Sequence, residues 1–333
     1  MTSKRIFASL FMLLMIGGLC LQAAAPKVEF QESKYRVDVL VGGKLLTSYR
    51  HTPDPSQPLM AKGVLQTKPV LHPVNSPSGI ALTRGYPLVD VPGESKDHPH
   101  HIGIYFTVDL VGPDKDIFWG NSKDELPAIR HVKILKKKEG NGEGALTTLS
   151  HWIGKNGKPL LEEQREMVFR AVDANQTIMD FTITLKAIDQ VIEFGDTKEG
   201  MFAFRVAQWL TEGATGRYLN SEGKELEKGV WAQRADWVRL QGEKDGKPIG
   251  IAILDHPQST NSPTYWHARG YGCFSVNPLG QLDFQKAQKV ADPKPFNLTL
   301  KPGQKALFKY RVILFEGNLD KAKMDALYKS YIK

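Results

Sequence analysis

The most unusual stretch of the sequence concentrates four titratable side chains in five residues, Asp97-His98-Pro99-His100-His101. Proline favours an extended backbone in the residue before it, and residues two apart on an extended chain share a face. We therefore expect His98 and His100 on one face and His101 on the other. Histidine transfers protons near neutral pH and also binds sugar hydroxyls or metal ions. We predict His100 as a proton-transfer group and His98 and His101 as substrate contacts. The alternative is that all three histidines are structural and form hydrogen bonds with Asp97 and backbone groups.

A second motif places three charged residues between two glycines, immediately before an apolar stretch. Its carboxylates, Asp196 and Glu199, are predicted to be partners in acid–base catalysis. Lys198 and Arg205 are predicted to bind substrate and to tune the pKa values of those carboxylates. The alternative is a solvated turn with ordinary ion pairs.

A third motif combines aromatic, basic and acidic residues over positions 254–257 and 265–272. The flat face of an aromatic ring suits the apolar side of a sugar ring, and arginine or histidine suits its hydroxyls or a carboxylate. His267 is predicted as the second proton-transfer group. The alternative is that Trp266 and Tyr271 are core residues and that Asp255 caps a turn. The predicted substrate contacts are Asp255, His256, Trp266 and Arg269, with Trp119 as a second aromatic platform.

Strands must position these motifs, because apolar and polar residues alternate over many short segments. Gly42-Gly43 separates two such segments and supplies the positive φ angles that a tight hairpin requires. One helix is predicted at the C-terminus, with Asn318 as its cap. The sequence therefore predicts an all-β fold, a large antiparallel β-sandwich with a short C-terminal helix, formed by one domain over residues 26–333. The longer predicted strands cover residues 101–110, 145–152, 160–172, 177–188, 201–210, 248–254, 271–276 and 307–315.

The first 25 residues have the features of a secretory signal peptide. Lys4 and Arg5 precede an apolar run over residues 6–21, and small residues follow it. We therefore expect export to the periplasm or the cell exterior, and no later segment is long and apolar enough to span a bilayer. Without this signal one cysteine remains, Cys273, so no internal disulfide is expected.

The composition and the absent motifs argue against several function classes. The 44 basic and 36 acidic residues give a formal charge of +8, but they are spread along the chain, without the dense patch that nucleic-acid binding needs. The sequence has no serine-hydrolase elbow, phosphate loop, dinucleotide fingerprint or Cys-x-x-Cys pair. We predict no cofactor. The alternative is a divalent metal bound by His98, His100 and a distant His256 or His267.

Several motifs occur together along the chain: Asp97-His98-Pro99-His100-His101, Asp116-Ile117-Phe118-Trp119 and Asp255-His256-Pro257, with residues 194–200, 231–237, 263–269 and 277–280. Together they resemble the secreted PmoA-like family, a domain of unknown function. Ile102 stands where that family is expected to have arginine. The label refers to a methane oxygenase subunit, an enzyme embedded in the membrane, and the lack of a spanning segment makes it a misnomer here. Residues 301–317 also resemble the last strand of galactose-mutarotase-like supersandwiches, which act on sugars.

The resemblance implies secretion and a part in sugar breakdown, without an agreed reaction. We predict an exported enzyme that acts on a sugar or modified sugar by acid–base catalysis, and isomerisation, elimination and hydrolysis all stay open. The prediction requires residues around positions 100, 199 and 267 to converge on one concave face of the sandwich. The alternatives are a non-catalytic glycan-binding module and a histidine-ligated metal enzyme. The expected partner is a carbohydrate or a sugar-derived small molecule, and no nucleic acid.

Overall fold

Twenty strands, three α-helices and one 3-10 turn form the part of the chain that the computed structural model describes, residues 25–55 and 63–333. The predicted signal peptide lies outside the described residues, apart from Ala25. The helices are α1 (Leu226–Val230), α2 (Gln281–Ala287) and α3 (Lys321–Tyr331), and the 3-10 turn is Gln208–Leu210. The strands are β1 (Lys27–Glu32), β2 (Arg36–Val41), β3 (Lys44–Arg50), β4 (Val70–Val74), β5 (Ile104–Val111), β6 (Asp116–Ile117), β7 (Ala128–Lys138), β8 (Gly140–Asn141), β9 (Glu143–Ile153), β10 (Pro159–Ala171), β11 (Gln176–Ala187), β12 (Ile192–Phe194), β13 (Gly200–Arg205), β14 (Arg217–Asn220), β15 (Trp237–Lys244), β16 (Lys247–Asp255), β17 (Tyr265–Ala268), β18 (Cys273–Asn277), β19 (Leu298–Leu300) and β20 (Lys305–Glu316).

Two antiparallel sheets pack face to face, which confirms the predicted all-β sandwich. The larger sheet has twelve strands, in the main order β17-β18-β13-β5-β4-β3-β2-β1-β8, with β6 and β12 paired to β5 and β19 paired to β12. The smaller sheet has eight strands in the order β14-β15-β16-β20-β11-β10-β9-β7. The short C-terminal helix is also confirmed, as α3.

β11 shows why this sequence forms strands. Met179, Phe181 and Ile183 are fully buried in the core between the sheets, and Asp180 alternates with them on the other face. The ring of Phe181 contacts the ring of Phe202 from the opposite sheet, with centroids 4.9 Å apart. Burial of one such side chain contributes roughly 1.5–3 kcal/mol, so a period-two pattern of this length fixes which face turns inward.

The outer face of the larger sheet carries a row of residues from four neighbouring strands. Tyr105 of β5 pairs with Ala203 of β13, and Ala203 pairs with Ser275 of β18. Ser275 in turn pairs with His267 of β17. Because neighbouring strands lie about 4.8 Å apart, this row brings chain positions 105 and 267 within roughly 15 Å of each other.

α3 covers part of the outer face of the smaller sheet, where Met324 is fully buried. Asp320 caps this helix, since its carboxylate accepts a hydrogen bond from the backbone N–H of Lys323 at 2.9 Å. The prediction of Asn318 as the cap is wrong, because the Asn318 side chain instead accepts from Gln241 at 3.0 Å. No helix within residues 25–55 and 63–333 is long and apolar enough to cross a membrane.

Candidate active site

The histidine run forms a turn rather than the start of a strand. His98 has φ +42°, and the backbone N–H of His101 donates to the carbonyl oxygen of His98 at 3.0 Å. The prediction that His98 and His100 share one face while His101 points away is therefore wrong. All three rings contact one another, with centroid distances of 5.8 Å for His98 and His100, 4.9 Å for His98 and His101, and 4.4 Å for His100 and His101.

Two buried arginines hold this turn through one carboxylate. Arg84 and Arg205 are each only 1% exposed, and both donate to Oδ1 of Asp97 at 2.6 Å. The guanidinium of Arg84 also donates to the carbonyl oxygens of His98 and His101, at 3.0 and 3.3 Å. Burial alone would raise the pKa of Asp97, but Arg205, His98 and Arg84 lower it to about 2. The Asp97 carboxylate is therefore ionised at neutral pH.

Asp97 also orients the ring of His98. Its second oxygen, Oδ2, lies 2.7 Å from Nδ1 of His98 and accepts the proton that this nitrogen carries. In the neutral imidazole this leaves Nε2 as a proton acceptor. The His98 side chain is partly exposed, so this nitrogen is available to a ligand.

Aromatic rings pack on both sides of the turn. The His98 ring lies almost parallel to the rings of His101 and Tyr271, at centroid distances of 4.9 and 5.4 Å. His101 is 2% exposed and packs against Tyr105 and Trp119, at 5.5 and 5.2 Å. Trp119 is itself fully buried beneath these rings, so the prediction that it stacks on a sugar is wrong for this arrangement. The partly exposed ring at this position is Tyr271.

The second motif lies next to His267 at the start of β13. Nδ1 of His267 donates to the carbonyl oxygen of Lys198 at 2.7 Å, so Nε2 is the proton acceptor of the neutral ring. The Lys198 ammonium and the Glu199 carboxylate form an ion pair, and both side chains are partly exposed. The His267 ring, in contrast, is only 3% exposed.

Asp196 belongs to the same motif but makes different contacts. Its Oδ1 accepts from the backbone N–H of Leu282 at 2.9 Å, and its Oδ2 accepts from the backbone N–H of Phe296 at 2.7 Å. Both oxygens are therefore used to anchor α2 and the segment that follows it. The catalytic role of Asp196 stays a prediction.

Electrostatic effects connect the three motifs across the outer face of the larger sheet. Burial lowers the pKa of His267, while the Lys198 carbonyl and the Glu199 carboxylate oppose that shift. Burial, helped by Lys68 and other cations, lowers the pKa of His100 to about 3. Burial also raises the pKa of Asp109 to about 6, with Lys68 opposing and Glu199 reinforcing the shift. Lys68 thus influences both His100 and Asp109, and Glu199 influences both Asp109 and His267.

The Tyr271 side chain contacts both the histidine turn and Arg269 of the third motif. Its ring stacks on His98, and the guanidinium carbons of Arg205 and Arg269 lie 4.7 and 5.6 Å from its ring centroid. Arg269 donates from Nε to Oε1 of Glu227 at 2.6 Å, and its side chain is partly exposed. The structure therefore brings the histidine turn, Arg205 and Arg269 together around one tyrosine.

Three predicted substrate contacts lie elsewhere. Trp266 alternates with His267 on β17, so it is buried in the core between the sheets, where its Nε1 donates to the Ala235 carbonyl at 2.9 Å. Asp255 and His256 lie at the end of β16 in the smaller sheet, and the His256 ring packs against Tyr331 of α3 at 5.1 Å. The prediction of an aromatic platform at Trp266 is therefore wrong.

The histidines of the alternative metal site are not grouped in the described part of the chain. His98 and His100 lie in the turn, whereas His256 lies by α3, and no three His, Cys, Asp or Glu side chains in residues 25–55 and 63–333 are grouped to hold a metal ion. Two cavities of about 490 and 440 Å³ are lined by other residues, near Tyr35 and near Phe194. The candidate site rests on its chemistry and not on the size of a cavity.

Sequence reasoning missed several residues that build the site. Tyr105 and Asp109 alternate with core residues on β5, so the period-two pattern could have assigned them to the outer face. Arg84 and Lys68 come from a proline-rich region without such a pattern. Lys68 donates to the carbonyl oxygens of Phe118 and Trp119, at 3.2 and 2.8 Å, and burial lowers its pKa to about 7.

A family model described as a family of unknown function, DUF6807, matches residues 36–329. The chain belongs to the DUF6807 family. That description does not carry the PmoA-like label, which stays a prediction for this DUF6807 protein. None of the curated proteins compared with it matches the sequence.

Solved structures that resemble this DUF6807 protein do so at low scores. A GH36 alpha-galactosidase from Geobacillus stearothermophilus has a TM-score of 0.39 at 10% identity, and the match covers 86% of this chain and 40% of that one. A GalM/aldose epimerase homologue from C. elegans has a TM-score of 0.34 at 9% identity, with 88% and 100% covered. The heparan sulfate lyase HepC from Pedobacter heparinus has a TM-score of 0.35 at 10% identity, with 89% and 36% covered. The chain thus spans well under half the length of two of these proteins, and at these scores none of their activities transfers to it.

Proposed function

We propose that this DUF6807 protein is a carbohydrate-directed enzyme that uses acid–base catalysis on the outer face of its larger sheet. The observation that carries the proposal is the position of Tyr271, whose ring contacts both His98 and the guanidinium of Arg269. A partly exposed tyrosine offers an apolar surface to a sugar ring, and the surrounding polar groups suit its hydroxyls. The proposal covers isomerisation, elimination and hydrolysis, each of which needs one acid and one base.

His267 is the proposed general base. Its Nδ1 proton is committed to the Lys198 carbonyl, and burial lowers the pKa of the ring, so the ring is neutral near pH 7 and Nε2 can accept a proton. Glu199, which influences the pKa of His267, is the carboxylate partner. Lys198 and Arg269 provide the partly exposed cations that bind substrate.

His98 is the second proton-transfer group, a role that the sequence analysis gave to His100. The ionised Asp97 carboxylate accepts the Nδ1 proton of His98, so Nε2 of the partly exposed ring can take a proton from solvent and donate it to the substrate as the proposed general acid. The pKa of His100 is lowered to about 3, which makes this ring a weak base at neutral pH. His100 therefore serves as a neutral hydrogen-bonding group.

The test is a screen of neutral and acidic mono- and disaccharides for turnover, followed by NMR of the reaction mixture. His267→Gln and His98→Gln should each reduce turnover by about 10²–10⁴-fold, the range for loss of a general acid or base, with binding retained. His151→Gln, on β9 of the smaller sheet, is the matched control and should keep full activity. Sugar binding without turnover by the unaltered protein would point instead to a glycan-binding module.

We also propose that the protein acts after export. The basic start, the apolar run over residues 6–21 and the small residues after it support this. Expression of the full chain in a bacterium with an outer membrane, followed by N-terminal sequencing, should give a shortened protein in the periplasm or medium. Full-length protein confined to the cytoplasm would contradict it.

A further inference from the structure

Buried positive charge lies close to Tyr271. Two buried guanidiniums, those of Arg84 and Arg205, share the single carboxylate of Asp97. Two partly exposed cations of the site have carboxylate partners, since Arg269 pairs with Glu227 and Lys198 pairs with Glu199. Glu212 adds a further carboxylate beside Glu227. Buried charge is costly unless it is neutralised, and the two guanidiniums together carry more positive charge than the one Asp97 carboxylate neutralises.

Unpartnered hydrogen-bond donors accompany this charge. Nε and Nη1 of Arg205 and Nε1 of Trp119 are buried and have no hydrogen-bond partner among the described residues. Both ring nitrogens of the 2%-exposed His101 are also unpartnered in that part of the chain. Three of these side chains, Arg205, Trp119 and His101, are more than nine-tenths buried. A site with surplus donors and surplus positive charge suits a ligand that supplies acceptors and negative charge.

Arg269 presents this positive charge to solvent. Among the described residues it donates only from Nε, to Glu227, so its two terminal amino groups stay available on a partly exposed side chain. Its guanidinium lies beside the same Tyr271 ring as the guanidinium of Arg205. Planar guanidinium groups bind carboxylates with two parallel hydrogen bonds.

We propose that the substrate is an acidic sugar, a uronate or aldonate, whose carboxylate binds Arg269 beside Tyr271 in the positive field of Arg84 and Arg205. This inference rests on the proposed function, because it names the substrate class of the same site. The Tyr271 ring contacts the apolar side of the sugar, and the carboxylate supplies the negative charge that the paired arginines lack.

The test compares matched sugars on the unaltered full-length protein by calorimetry. D-glucuronate and D-galacturonate should bind about tenfold or more tightly than D-glucose and D-galactose, and added salt should weaken only the acidic pair. Equal or tighter binding of the neutral sugars would overturn the inference and leave the proposed function intact. Binding of sulfated sugars but not of uronates would overturn the carboxylate assignment. Failure of every sugar to bind would overturn the proposed function itself.

A variant pair adds a second readout. Arg269→Gln should lower the affinity for uronates more than the affinity for neutral sugars, so the ratio of the two affinities should fall. Arg36→Gln is the control, because Arg36 forms a comparable partly exposed ion pair with Asp38 on β2. Retention of the full uronate preference in Arg269→Gln would refute the role of Arg269. The comparison of sugars on the unaltered protein decides the substrate class even where the variant folds poorly.

Discussion

Asp97→Asn tests whether one carboxylate holds the histidine turn in place. The replacement keeps the shape of the side chain but removes the charge that faces Arg84 and Arg205, which are both 1% exposed. Loss of one partner of a buried ion pair costs about 3–5 kcal/mol. The Asp97 side chain is 40% exposed, and asparagine still accepts one hydrogen bond, so we expect a loss of roughly 2–3 kcal/mol in the free energy of unfolding.

Urea denaturation followed by intrinsic tryptophan fluorescence measures this loss. The control is Asp90→Asn, which removes an ion pair with Lys96 between two well-exposed side chains and should cost less than about 1 kcal/mol. A double variant with Arg84→Met should lose less than the two single variants added together, because both act on one contact. If Asp97→Asn is no less stable than Asp90→Asn, the reasoning is refuted.

The same contact predicts a pH dependence. The pKa of Asp97 in the folded chain, about 2, lies below its ordinary value of 3.8. The carboxylate therefore stabilises the fold above about pH 4, and this contribution is lost as the pH falls through 2. After allowance for its partial exposure, we expect roughly 1–2 kcal/mol over this range. The stability of Asp97→Asn should lack this part of the acid sensitivity.

Three further predictions follow from the placement of other residues. Trp266→Ala should lower the free energy of unfolding by about 3–5 kcal/mol in urea denaturation, because Trp266 is a core residue, and a surface platform would cost much less. Asp196→Asn should lose about 1–3 kcal/mol and speed proteolysis near α2, since an amide can accept at only one of the two backbone N–H groups; unchanged proteolysis would contradict the anchor. Burial raises the pKa of Asp255 to about 7, so its contribution to stability is full below about pH 4 and is lost as the pH rises through 7. Asp255→Asn should therefore gain stability relative to the unaltered protein between pH 4 and pH 7, and parallel pH profiles would show that Asp255 is not buried as described.

Alternation of polar and apolar residues in the sequence predicts the strands. No local pattern predicts the conformation of the histidine turn. The alternation around Phe181 fixes β11, and the same alternation separates Trp266 from His267 on β17, which would have placed the tryptophan in the core. The conformation of His98 depends on Arg84 and Arg205, which lie 14 and 107 positions away and act through Asp97. No local propensity reports such contacts, so the extended conformation favoured by Pro99 was overridden by tertiary hydrogen bonds.

The prediction that the motifs converge could not be checked from the sequence, because it depends on the order of the strands in the sheet. Sequence placed His267 and Glu199 on or beside strands, but only the pairing order β17-β18-β13-β5 brings them to the side of the sheet that also carries Tyr105. Tyr271 belongs to the third motif, but the sequence offered only a core position for it. Its importance follows from its contacts with His98, Arg205 and Arg269.

The central claim is that His98 and His267 face the same bound ligand although 169 positions separate them. Titration of protein labelled with nitrogen-15 at histidine by D-glucuronate, or by the neutral sugar that binds most tightly in the calorimetric comparison, tests this directly by NMR. The ring nitrogens of both histidines should shift along the same binding curve with one dissociation constant, and those of His151 should stay unchanged. A response from only one of the two histidines, or two different dissociation constants, would contradict a shared site.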